Sequence, residues 1–372
     1  MLLDRLRRGH TEQSMLITGL RGVGKTVLLG AFEERARGRD WTTVEAEITK
    51  NVEFGPRMAQ LVRRALLQVA PKARWKDRSR RAAAVLKSFQ LTVSAQGELS
   101  FGLDVDAAEG LADSGSLGED LTDVLVALGE AAQEQERGVV FLFDEVQFLT
   151  TPELEALIAA LHKTVQRQLP ITLVGAGLPQ LPRLAGEAKS YAERLFEFPM
   201  IGQLSEREAT EALIRPVAPF DVEYEEAAVK AIVDYTEGYP YFLQEYGKLA
   251  WDHAPASPIT RRDVDETLEA VEAKLDSSFF RVRTDRVTEL ELQYMRAMAE
   301  LGSQAQAAKN VAALMQRTSE QLGPTRSRLI EKGLLYTPAH GLAAFTVPQF
   351  DRYMRRAHAL DVPPPRRRKP QP

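Results

Sequence analysis

The eight residues GLRGVGKT, Gly19–Thr26, constrain this chain more than any other stretch, because they fit G-x-x-x-x-G-K-S/T without a mismatch. The pattern has a physical meaning only between a strand and a helix, and both flanks comply. SMLIT, Ser14–Thr18, suits a buried parallel strand, and VLLGAFEERARGRD behind the loop sets Val27, Leu28, Leu29 and Phe32 on one stripe with charges opposite. Glycines at 19, 22 and 24 let the backbone curl. The loop Gly19, Leu20, Arg21, Gly22, Val23, Gly24, Lys25, Thr26 and Val27 can then turn successive N–H groups toward a phosphate at the positive end of the next helix. Lys25 is expected to reach the β- and γ-phosphates, and the Thr26 hydroxyl to ligate Mg2+.

A second apolar run, GVVFLFDEVQ from Gly138 to Gln147, supplies what such a loop needs. Val139 to Phe143 read as a buried strand, and the strand ends in Asp144 and Glu145. Beside the phosphate loop, Asp144 can hold magnesium through its waters, and Glu145 can accept a proton from an attacking water. Other chemistries find little support. The chain has no cysteine, so disulfides, thiolate zinc sites and cysteine nucleophiles are excluded together. His10, His162, His253, His340 and His358 make no metal-ligand spacing, and no G-x-S-x-G elbow occurs.

The remaining pattern of the first half alternates strand and helix: TTVEAE (Thr42–Glu47), the helical RMAQLVRRALLQVA, and ITLVGAG (Ile171–Gly177). It predicts an α/β fold with a parallel sheet between helices. Within it, FQLTVSAQGELSFGLDV over 89–105 alternates around Gln-Gly and predicts an inserted β-hairpin. No apolar run approaches the roughly 18 residues that span a membrane, and MLLDRLRRGH lacks the apolar stretch of a signal peptide, so the expectation is a cytoplasmic protein with no membrane partner. The net charge of −4 hides a contrast. From Arg281 onward 16 Lys and Arg face 8 Asp and Glu, +8 in all, which leaves −12 on residues 1–280. Such a basic region points to an acidic partner or to a solvated surface.

GLRGVGKT, FLFDEVQ, LVGAGLPQL and SYAERLFEF, in this order and at these separations, resemble the AAA-type ATPases of the origin-recognition initiator clade and the related STAND signalling ATPases. The resemblance covers nearly the whole chain. It implies a P-loop core over 1–203, a helical lid over 204–275, ATP as the nucleotide, and an arginine finger at Arg194 reaching a neighbouring copy in a homo-oligomer. The alternative for Arg194 is an ion pair with Glu193 or Glu197. Three departures stand out. The end of the fourth strand, normally Asn, Ser or Thr, is here Gly175, Ala176 and Gly177; in the lid, Gly238 is present but Tyr241 replaces the arginine of Gly-x-x-Arg, and Gly-Tyr-Pro resembles the STAND version. Eighteen residues before the loop are too few for the usual adenine-covering segment, which implies a chain truncated at its start or a loosely held nucleotide.

In the lid, Ser205 and Glu208 match a capping box. VTELELQYMRAMAEL, AAKNVAALMQR and TSEQLGPTRSRLIEKG then read as three helices, followed by a hairpin around Ala-His-Gly, and together they resemble a winged helix-turn-helix domain over 281–360. Its third helix is expected to present Thr325, Arg326, Arg328 and Lys332 to duplex DNA, with a disordered basic tail over 361–372. The sequence thus predicts an ATP-dependent switch, a slow ATP hydrolase, that binds ATP or ADP and controls DNA binding. Two alternatives stay open at this point: a STAND-like switch whose winged domain binds a protein, and a regulator that retains ATP without hydrolysing it.

Overall fold

Short, fully apolar runs need neighbours on both faces, and the first half of the chain meets that demand with a five-stranded parallel sheet. The computed structural model describes residues 2–50, 52–93 and 105–361. Its strands β1 (Ser14–Thr18), β2 (Trp41–Glu47), β3 (Gly138–Asp144), β4 (Ile171–Gly177) and β5 (Phe196–Glu197) lie in the order β2-β3-β4-β1-β5. Val139, Phe141 and Phe143 of β3 enter the larger core with the helices Phe54–Val69, Leu117–Glu134 and Thr151–Gln166. Val140 and Leu142 alternate to the opposite face and are equally buried, on a sheet against which the helix Lys25–Arg37 also packs.

The chain forms two compact units. The first holds residues up to Gly19 and from Lys25 to Met200; the second holds Leu20–Gly24 and the residues from Ile201 on. In the second unit the helices Glu206–Val217, Glu226–Thr236, Pro240–His253 and Arg261–Lys274 run into a π-helical turn, Leu275–Phe280, and then the helices Glu289–Glu300, Ala308–Leu314 and Ser319–Glu331. A small antiparallel sheet follows, with β6 (Gln306–Ala307), β7 (Leu335–Tyr336) and β8 (Leu342–Phe345) in the order β6-β8-β7, and the helix Phe350–Ala357 closes the described part. The capping box at Ser205 is present: Glu208 N–H donates to Ser205 Oγ at 3.4 Å, and Ser205 N–H to Glu208 Oε2 at 3.0 Å.

Residues assigned from sequence to a lid and to a separate C-terminal domain share one hydrophobic core. Aromatic rings join them, with Tyr241 stacked on Phe279 at 4.4 Å and Phe280 on Tyr353 at 5.1 Å. The predicted hairpin over 89–105 is corrected at its start, because the helix Asp77–Val93 runs through residues 89–93. Its positions 94–104 lie outside the described residues, as does the predicted basic tail beyond Asp361. Among the described residues no helix is long and apolar enough to cross a membrane.

Two helical glycines differ in what surrounds them. A Cβ on Gly129 would meet Leu169 Cβ at 2.8 Å and Cδ1 at 2.9 Å, whereas one on Gly186 meets nothing within 4 Å. Gly129→Ala is therefore expected to cost about 1–3 kcal/mol by overpacking, and Gly186→Ala to add about 0.4–1 kcal/mol by restricting the unfolded chain. Urea unfolding of the two variants checks the opposite signs.

Candidate nucleotide-binding site

The site begins where β1 ends. Gly22 and Gly24 hold φ of +85° and +94°, backbone that side chains rarely tolerate, so the chain can double back before the helix Lys25–Arg37. Lys25 is only 7% exposed, and its Nζ donates to Gly19 O at 3.0 Å, which draws the ammonium over the loop. Thr26 Oγ1 donates to Asp144 Oδ2 at 2.5 Å, so the hydroxyl and the carboxylate chosen from sequence as magnesium ligands meet. Val27 is 78% exposed.

Leu20–Gly24 belongs to the second unit and is held by hydrogen bonds within it. Arg21 N–H donates to Thr346 O at 3.1 Å, Tyr241 N–H donates to Gly22 O at 3.2 Å, and the Tyr239 hydroxyl donates to Arg21 O. A Cβ on Gly22 would stand 3.1 Å from Tyr241 Cβ and 3.2 Å from Tyr239 Cε1. Burial pushes the Tyr239 hydroxyl up from its ordinary pKa, so it remains a neutral donor. Val23 is buried among the apolar side chains of this unit.

Glu145 follows Asp144 at φ 55° and ψ 38°, a left-handed conformation uncommon for a residue with a side chain. Its N–H donates to Asp144 Oδ1 at 2.8 Å. Gln147 Nε2 donates to Glu145 Oε2, and Gln147 Oε1 accepts from Leu178 N–H at 3.0 Å. Arg194, on the turn Ala192–Leu195, is exposed, and among the described residues its side chain forms no ion pair with Glu193 or Glu197. Its backbone carbonyl accepts from Gln13 Nε2 at 3.1 Å. Sequence reasoning missed Gln147, Tyr239 and Thr346. Only Tyr239 carried a signal, since it lies in the Gly-Tyr-Pro turn already singled out.

The four residues expected to meet DNA gather at the helix Ser319–Glu331, but they are engaged within their own unit. Thr325 is 1% exposed and so cannot reach a base edge, which corrects its expected role. Arg326 Nη2 donates to Leu342 O at 2.6 Å and to Thr337 Oγ1 at 3.3 Å. Arg328 Nε reaches Glu291 Oε1 at 3.0 Å, and Lys332 Nζ reaches Glu291 Oε2 at 2.7 Å and Arg286 O at 2.9 Å. The Glu291 side chain is fully buried. Burial alone would raise its carboxyl, but hydrogen bonds from Lys332, the Thr288 N–H and Arg328 win and hold it down at about 2.

Residues 1–174 match the AAA ATPase domain family, and residues 277–354 match a domain family of unknown function, DUF8462. No curated protein matches the chain. Among solved structures, the Walker-type ATPase PABY2304 of Pyrococcus abyssi is similar at 16% identity over 92% of this chain and 90% of that one, with a TM-score of 0.53. The RuvB Holliday junction branch migration motor of Thermotoga maritima aligns at 18% identity over 92% and 88%, TM-score 0.45. Cdc6p of Pyrobaculum aerophilum aligns at 13% over 95% and 90%, TM-score 0.45.

Because Glu291 carries a depressed pKa in the folded state, its stabilisation is complete above the ordinary carboxylate value of 4.5 and is lost as pH falls toward 2. The full effect is about 3 kcal/mol. Glu291→Gln should thus unfold well below the wild type at pH 7, with the gap narrowed at pH 3 and closed only as pH falls through about 2; melting temperatures along this pH series check it. The family match over residues 1–174 and the likeness to the Pyrococcus abyssi ATPase agree on a parallel-sheet α/β fold with a phosphate loop for the first half of the chain.

Proposed function

We propose that this chain is an ATP-dependent molecular switch that binds ATP with Mg2+ and hydrolyses it slowly. The observation that supports the reading is the Thr26–Asp144 contact in a loop whose Lys25 is buried. A hydroxyl and a carboxylate are hard oxygen donors of the kind Mg2+ takes, so Thr26 and Asp144 would hold the ion, which would supply positive charge against the phosphates. Lys25 adds a fixed cation there. Glu145 takes a proton from water as the water oxygen bonds to the γ-phosphorus. The bond from that phosphorus to the bridging oxygen breaks, and the electron pair leaves with ADP. Arg194, exposed and without a carboxylate partner among the described residues, is suited to a γ-phosphate held by a second copy.

Residues 281–360, in which the helices Glu289–Glu300, Ala308–Leu314 and Ser319–Glu331 accompany a short antiparallel sheet, are read as a winged helix-turn-helix domain. Arg21 N–H ends on Thr346 O just beyond β8, and the switch reading takes this bond as its link from the loop to this domain. Duplex DNA remains the partner that the +8 charge suggests, through phosphate contacts rather than base reading by Thr325, Arg326, Arg328 and Lys332. A second reading, docking on a protein, is favoured by the exposed face of the helix Ser319–Glu331, which offers Glu320, Gln321, Pro324, Ser327 and Glu331.

Lys25→Ala is expected to abolish most nucleotide binding, whereas Glu145→Gln should spare binding and slow hydrolysis roughly 10²–10⁴-fold. Equal loss of binding in both variants would remove Glu145 as the base. Hydrolysis per molecule should rise with protein concentration in the wild type and stay low in Arg194→Ala; a rate independent of concentration in both sinks the finger. Salt-dependent retention of duplex DNA by the full chain, lost by about 0.2 M salt, separates the DNA reading from the protein reading.

A further inference from the structure

The rim beside Asp144 and Glu145 receives no polar side chain from β4, which ends in Gly175, Ala176 and Gly177. Gln147 stands there instead. The left-handed turn at Glu145 opens the short helix Val146–Phe148 and folds the side chain two residues on back toward the carboxylate. The Gln147 amide uses both of its ends: Nε2 donates to Glu145 Oε2, and Oε1 accepts from Leu178 N–H at 3.0 Å, the first residue beyond β4. Glycine at 177 is a condition for this arrangement, because a Cβ there would overlap Gln147 Oε1. A glutamine side chain loses considerable rotamer freedom when fixed at both ends, and two hydrogen bonds offset that cost.

We propose that Gln147 is the positioning residue for Glu145: clamped to Leu178 N–H, it fixes the carboxylate at the rim and supplies the polar group that β4 lacks. As an amide it donates one hydrogen bond to the carboxylate and leaves the other carboxylate oxygen to face a water. The inference rests on the reading of Glu145 as general base.

The test uses the full chain with MgATP, steady-state hydrolysis, and equilibrium binding of a fluorescent ATP analogue. In Gln147→Ala, kcat falls tenfold or more while KM and analogue affinity stay within about twofold. Gln147→Glu keeps the length and the acceptor for Leu178 N–H but sets a second carboxylate against Glu145 in place of a donor, so its kcat falls as far as that of Gln147→Ala although the side chain fills the same space. A packing role would leave Gln147→Glu near the wild type. The proposal is overturned if Gln147→Ala retains the wild-type kcat, if it loses affinity in step with kcat, or if Gln147→Glu retains the wild-type kcat. A wild-type chain that hydrolyses no ATP sinks the ATPase reading itself. An active wild type with an equally active Gln147→Ala sinks only this inference.

Discussion

The register of three parallel strands governs the whole candidate site. β1 pairs with β4 so that Thr18 lies beside Gly177, and β3 pairs with β4 so that Phe143 lies beside Gly175. The carboxyl ends therefore finish on one rim, and Thr26 and Asp144, 118 positions apart in sequence, come to 2.5 Å. A slip of β3 by one residue would turn Val139, Phe141 and Phe143 away from the larger core, since side chains alternate faces along a strand. Burial of that face thus fixes the position of the carboxylates as firmly as the backbone ladder does. Stability of the core and geometry of the site are one constraint.

Gly22 shows how a single residue can serve two demands. Its φ of +85° bends the phosphate loop, and its missing Cβ leaves room for Tyr239 and Tyr241. Three hydrogen bonds, from Arg21 N–H, Tyr241 N–H and the Tyr239 hydroxyl, tie residues 20–24 within the second unit. At about 0.5–1.5 kcal/mol net for each, they amount to a few kcal/mol. That is the range in which one ligand typically changes the affinity for another, about 1–3 kcal/mol. On the proposed switch reading, a bound phosphate that favours or disfavours these bonds needs no larger lever.

What could be read from sequence was what depends on neighbours along the chain. The phosphate loop, β1, β3 and β4 announce themselves through an apolar run followed by residues of fixed type, and the capping box at Ser205 through a three-residue spacing. The failure over 89–93 has the same origin. FQLTV alternates over five residues, but Ala82, Val85, Leu86 and Phe89 recur at helical spacing over a longer stretch, and all four are buried in the core. The longer period prevails because one continuous face is buried. Gln147 was invisible because its partners, the Glu145 carboxylate and the Leu178 N–H, are brought together by a left-handed turn and a glycine on another strand, neither of which local patterning encodes.

The charge contrast along the chain has a limit of a related kind: a count of charges ignores their pairing. Arg328 and Lys332 share the buried Glu291, which is supplied 37 and 41 residues earlier. The helix Phe350–Ala357 directs its cations onto acids of the same unit, with Arg352 on Glu237, Arg356 on Asp276 at 2.5 Å, and Arg355 on Asp351 at 2.7 Å. Several cations after Arg281 are therefore engaged within the second unit, two of them, Arg352 and Arg356, with acids that precede Arg281. The exposed pairs add little, about 0–1 kcal/mol each, whereas removing a cation from the buried Glu291 strands a charge at a cost of several kcal/mol. The acidic partner that the sequence called for is in part the chain itself, and an external polyanion has to compete with Glu291 before it can engage Arg328 or Lys332.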